Sequence, residues 1–141
     1  MNKRLVRESA LKALYAIECG ARVNDTLDEH LRNPDWSEVD LKDGAAVYFT
    51  DLVLVAGQEK KEELDAIIAP FLKGWTLDRI AVIDKLVLRM AVSETWRGVP
   101  HKVIASEYVS IDKIYNSVEG AKFVNGVLGK ILATIPQTEN S

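Results

Sequence analysis

The sequence predicts an all-α fold, a single compact bundle of about seven helices, and three observations carry that prediction. Apolar residues recur at three- and four-residue spacing along nearly the whole chain, and strand-like alternation is almost absent. Short breaks at Gly20, "NPDW", "KGWTLDR" and "RGVPH" divide this pattern into helix-length pieces. A chain of 141 residues that is 48% hydrophobic and 28% charged, with little proline or glycine, has enough apolar surface for one proper core and no disordered or low-complexity signature.

The first helix is expected from about Lys3 to Glu18, burying Val6, Ala10, Ala13, Leu14 and Ile17 and stopping at Gly20. "TLDE" from Thr26 reads as a capping box, in which Thr26 and Glu29 satisfy each other's end of the turn, for a short second helix near Leu27 to Leu31. "NPDW" from Asn33 is a turn. A long third helix is expected from about Leu41 to Leu72, carrying Val47, Leu54, Leu64, Ile67, Ile68 and Phe71, with Pro70 bending or ending it. "KGWTLDR" breaks the pattern, and Thr76 is placed to cap a fourth segment from Leu77 to Trp96. The dense apolar set Ile80, Ile83, Val87, Met90 and Ala91 puts that segment at the centre of the bundle. After "RGVPH" a helix takes about Lys102 to Tyr115, and "NSVE" caps the last one, whose apolar face is Val124, Val127, Leu128, Ile131 and Ile135. The break at Lys73 to Thr76 gives the expected organisation: one domain over 1–136, with subdomains of about 1–73 and 76–136, and a flexible tail over 137–141.

Several function classes lose support. The single cysteine, Cys19, excludes an internal disulfide and cannot by itself build a cysteine metal site, which fits a reducing cytoplasm. No apolar run has signal-peptide or membrane-spanning length. No phosphate-binding glycine loop or nucleophile elbow occurs, and neither "GARVND" nor "GAKFVNG" follows a strand. His30 and His101 are too few for a zinc site, and Glu62, Glu63 and Asp65 read as a solvated helix face. An enzyme, a metal and a cofactor are therefore not expected. The net charge of −3 means that any nucleic-acid binding must come from locally concentrated positive charge.

Two helical stripes carry such charge. On the first helix Arg4, Glu8, Lys12 and Tyr15 share a face, flanked by Lys3 and Arg7. Positive residues crowd the first two turns, where the helix dipole disfavours them by a few tenths of a kcal/mol each. On the last helix Lys122, Asn125, Gly126, Gly129 and Lys130 form the polar stripe. Each glycine costs about 1 kcal/mol relative to alanine, which makes sense if something approaches the backbone closely. That object is either another helix of the bundle or a nucleotide. For a nucleotide, Lys122 supplies charge, Asn125 an amide for a base edge and Phe123 a stacking face.

"RESALKALYAIE", "WTLDRIAVIDKLVLRMAVSE", "VPHKVIASEYVSIDKIY" and above all "KFVNGVLGKI" together resemble the NusB family of bacterial transcription antitermination factors, in the same order and over nearly the whole chain. The resemblance implies an all-helical fold of two packed subdomains that binds boxA RNA of ribosomal RNA leader transcripts as a heterodimer with ribosomal protein S10, also called NusE. Other Nus factors and RNA polymerase are then indirect partners. It implies RNA contacts by Lys3, Arg4, Arg7, Tyr15, Phe123 and Asn125, to which the stripes add Lys12 and Lys122, with Glu119 at the acidic position before "KFVNG", and an S10 contact by Asp84. The two stripes are then expected to form one surface.

Two other readings compete. The same fold serves as the RNA-binding domain of certain ribosomal RNA methyltransferases, but these need a cofactor-binding domain downstream and the chain ends at Ser141. A helical interaction scaffold that never touches RNA would bind its partner with little salt dependence, unlike a phosphate-binding surface. Homodimerisation stays open.

Overall fold

The computed structural model describes residues 1–32, 36–37 and 42–137, and among these it contains seven α-helices and no strand. The all-α expectation is borne out. The chain divides into two compact units, Met1–Lys60 and Lys61–Ser141. The division falls at Lys60 and not at the Lys73 to Thr76 break, because the helix before that break packs on the one after it. Asn33, Pro34 and Asp35 of the expected turn and residues 138–141 of the expected tail lie outside the described residues.

In the first unit, α1 (Lys3–Glu18) opens on Asn2, whose side-chain oxygen accepts from the Leu5 N–H at 3.0 Å. It closes on Gly20, whose φ of 106° turns the chain, so that Gly20 N–H bonds Ile17 and Ala21 N–H bonds Ala16, a Schellman closure. The second helix, α2, spans Val23–Leu31. Thr26 is therefore inside it and not its cap: the hydroxyl donates to the Arg22 carbonyl at 2.6 Å. Both helices pack with α3 (Ala45–Leu54). Their buried side chains include Val6, Ala10, Leu11, Leu14, Leu27, Phe49, Leu52 and Val53. Phe49 takes the edge of Trp36 at 5.4 Å and a stacked His30 at 6.2 Å.

The long third helix expected from Leu41 to Leu72 is interrupted. After α3 comes a π turn over Val55–Glu59, closed by Lys60 N–H to Val55 at 2.9 Å. A β-carbon at Gly57 would lie 2.7 Å from Leu14 Cδ2, so the widened turn lets the backbone run close against α1. The outer face of α3 leaves Val47, expected to be carried inward, 64% exposed.

The second unit begins with α4 (Lys61–Ile68) and a 3-10 turn, Ala69–Phe71, in which Pro70 ends the helical run. The next helix, α5, spans Val82–Thr95 and starts later than Leu77. Thr76 does not cap it, because its hydroxyl donates to Asp78 within a preceding turn. Leu86, Val87, Leu88, Met90, Ala91 and Val92 are all buried, so α5 is covered on every side past its first turn, as Val87, Met90 and Ala91 predict, whereas Ile83 is half-buried and Ile80 lies before the helix, also half-buried. Around it pack α4, α6 (His101–Tyr115) and α7 (Val118–Ala133). The buried Arg89 guanidinium forks onto Asp65, with Nε to Oδ1 at 2.7 Å and Nη2 to Oδ2 at 2.9 Å. Tyr108 of α6 donates to the buried Glu94 carboxylate.

Asp65→Ala takes the fork's acceptor from a guanidinium that stays in the core. Urea unfolding should show a loss of about 2–3 kcal/mol, toward the lower end for a buried pair because Asp65 keeps some solvent.

Candidate nucleic-acid interface

Ser117 starts α7 by accepting the Gly120 N–H at 2.9 Å, and this fixes which residues the helix turns outward. Ala121, Val124, Val127, Leu128, Ile131 and Leu132 go to the core, which leaves Lys122, Asn125, Gly126, Gly129 and Lys130 exposed along the other side. A β-carbon built at Gly126 or Gly129 would meet nothing within 4 Å. Among the described residues no helix approaches these two glycines, so of the two explanations the sequence left open, packing inside the bundle loses its support.

The glycine the fold does require is Gly120, which sequence spacing did not single out. A β-carbon there would stand 2.3 Å from Asn116 Nδ2, 2.7 Å from Asp112 Oδ1 and 2.8 Å from Asp84 Oδ1. These three side chains converge on the bare α-carbon from α5, α6 and the residue after α6. Asp84, in the first turn of α5, is 5% exposed and accepts from Asn116 Nδ2 at 2.9 Å. Asp112 is fully buried, and neither of its oxygens makes a well-formed hydrogen bond among the described residues. Burial first, and then the adjacent Asp84 carboxyl, push Asp112 from the ordinary 3.8 up to about 8, while Asn116 acts in the opposite direction. At neutral pH Asp112 is therefore protonated, and the pair avoids carrying two buried negative charges.

Asp84 also forms part of a hollow of about 300 Å³ lined by Trp75, Arg79, Ile80, Ala81 and Phe123. The half-buried Phe123 thus shares this hollow with an aromatic residue that the sequence marked only as a helix break: Trp75 is 60% exposed. A tryptophan inside a polar break was the available signal. Glu119 is exposed one position before Gly120.

On α1, Lys3, Lys12 and Tyr15 are exposed, and the Lys3 ammonium lies 5.7 Å from the centre of the Tyr48 ring. Arg4 is half-buried. Arg7 is a correction: at 2% exposed it cannot meet RNA from this surface. It lies one turn before the buried Ala10 and Leu11 and two turns before Leu14, so the three- and four-residue spacing puts it on the core face.

Comparison with known proteins agrees with this architecture. The model of the NusB family matches residues 4–133. The transcription antitermination protein NusB of Symbiobacterium thermophilum is 34% identical over 138 residues, covering 94% of this chain and 90% of the relative. That of Bacillus mycoides is 34% identical over 143 residues, covering 96% and 100%. Among solved structures, T. maritima NusB superposes with a TM-score of 0.82 at 26% identity, covering 96% of this chain and 94% of that one. A chain in the crystal structure of a plectonemic RNA supercoil gives 0.83 at 28% identity, covering 94% and 96%.

Because Asp112 holds a proton in the folded state that the unfolded chain releases above about pH 4, stability should fall as pH rises from there to about 8 and then level off. Asp112→Asn removes this contribution. Denaturant midpoints at pH 5, 7 and 9 should show the variant gaining on the parent as pH rises. Gly120→Ala should cost about 1–3 kcal/mol by overpacking, read from the same unfolding curves.

Proposed function

The chain belongs to the NusB family, and from that membership we propose that it is a transcription antitermination factor binding boxA RNA of ribosomal RNA leader transcripts together with ribosomal protein S10. It works in the cytoplasm and helps assemble the antitermination complex on RNA polymerase. The observation that carries the RNA part is the outer side of α7: cationic at Lys122 and Lys130, amide-bearing at Asn125, bare of side chain at Gly126 and Gly129, and adjacent to the aromatic Phe123. Single-stranded RNA is held by this combination of phosphate charge, base-edge amide and stacking surface. Lys3, Arg4, Lys12 and Tyr15 supply further phosphate and base contacts from α1.

The net charge of −3 limits what this protein does alone, because few counterions are released when it meets RNA. A basic partner changes that. Asp84 has little exposed surface and adjoins the hollow beside Trp75 and Phe123, so an S10 contact needs a long cationic side chain entering that hollow. Binding of S10 then lengthens the RNA-contacting surface and raises affinity through joint contacts.

The decisive experiment titrates single-stranded boxA RNA with this protein, with and without S10, across a salt series. Binding that needs both proteins and weakens with salt, by about 0.7 logarithmic units per phosphate neutralised and per decade of salt, supports the reading. S10 binding that leaves RNA affinity unchanged at every salt concentration favours the scaffold instead. Lys3→Glu with Lys12→Glu should weaken RNA binding about tenfold or more and leave the melting temperature within a few degrees, since both side chains are exposed. Glu119→Asn should tighten RNA binding by removing an exposed negative charge. Looser binding by that variant would rule out an RNA-facing position for Glu119.

A further inference from the structure

Asp112 is fully buried on α6, and among the described residues it is the side chain whose buried oxygens lack a well-formed hydrogen bond. The helices packed on α6 are α5 and α7, and each brings a different group to it. From α5 comes Asp84, from α7 the bare Gly120 with the exposed Glu119 and Lys122 on either side of it in sequence, and from the residue after α6 the Asn116 amide. Asp112 Oδ1 and Asp84 Oδ1 lie 2.7 and 2.8 Å from one point, the place that a Gly120 β-carbon would take, so the two carboxyls are a few ångströms apart. Of the charged groups around Asp112, Asp84 is the one that acts on it. Folding by itself gains nothing from a carboxyl here, because an asparagine of the same size fills the space without a group that titrates.

Asp84 connects this buried carboxyl to the surface. Its Oδ1 accepts from Asn116 at 2.9 Å on the inner side, and the same residue lines the hollow of about 300 Å³ whose rim carries the exposed Trp75 and Arg79. Asp112 does not line the hollow and so lies behind Asp84. A cation that reaches Asp84 through the hollow therefore stands close to a second carboxyl, one that holds a proton. Opposite charge at such range favours the ionised form, and burial leaves the attraction weakly screened. The exposed Arg79 opposes the same cation from solvent, where screening is strong.

We propose that docking at this hollow is coupled to a proton: a cationic side chain of the protein partner that seats against Asp84 expels the Asp112 proton to solvent, so the site gains its second negative charge as it is occupied. This rests on the reading of Asp84 as the S10 contact. The free protein keeps the proton up to about pH 8. Partner affinity therefore rises with pH up to that point and levels off above it.

The test is calorimetry of S10 binding at pH 7 in two buffers of different ionisation enthalpy, which counts the protons released. The parent should release about one proton, and its S10 affinity should rise about tenfold from pH 6 to pH 8.5. Asp112→Asn has no proton to give and should show neither the release nor the rise, a difference in pH profile that a merely structural residue does not produce. If that variant does not fold, the parent alone decides: the infrared carbonyl band of a protonated carboxyl, present in the free protein at pH 7, should disappear when S10 binds. If S10 binds the parent with no proton released and the band unchanged, the coupling is wrong and the S10 contact stands. Equal release by the parent and by Asp112→Asn places the proton elsewhere and overturns the inference. If S10 fails to bind at any pH, the contact and the coupling both fall.

Discussion

Gly120 is the point on which the second unit depends. Three polar side chains, from α5, α6 and the residue following α6, close over an α-carbon that has no room for a methyl group. This close approach fixes the rotation of α7, which sends Val124, Val127 and Leu128 into the core and turns Lys122, Asn125 and Lys130 out. It also fixes Asp84 beside Asp112. Two carboxyls this close and this buried cannot both ionise, so the junction retains a proton that an isolated aspartate would release. The fold accepts a pH-dependent cost at the same place where it positions the residues proposed to meet partner and RNA.

The three glycines of the last helix do two different kinds of physical work despite their proximity in sequence. Gly120 is demanded by sterics inside the protein. Gly126 and Gly129 face open space, where alanine would add about 1 kcal/mol of helix stability apiece. In the proposed reading their value lies outside the folded chain, in the bare backbone they offer to RNA.

Charge is distributed with similar economy. The protein is net negative, yet the cationic residues left exposed on α1 and α7 occupy limited stretches of helix surface. Arg7 shows that sequence proximity to such a stretch is not membership in it. Its position one turn before Ala10 and Leu11 puts it inside, as a structural group of the core, while Lys3 and Lys12 remain accessible.

Helical periodicity by itself determined the all-α class, the bounds of α1, α6 and α7 to within a residue or two, the central burial of α5 and the polar stripe of α7, because these follow from spacing along one helix. The similarity to the NusB family was equally legible in "KFVNG" and its neighbours. Interactions between segments distant in sequence were not. The π turn at Gly57 arises from the approach of Leu14, more than forty residues earlier, and a local pattern reads straight through it as one long helix. The Asp84, Asp112 and Asn116 cluster and the hollow lined by Trp75 and Phe123 depend likewise on where separate helices cross. Periodicity tells each helix which side to bury; only the packed tertiary structure decides which neighbour it is buried against, and therefore which charges must share a proton and which backbone must stay bare.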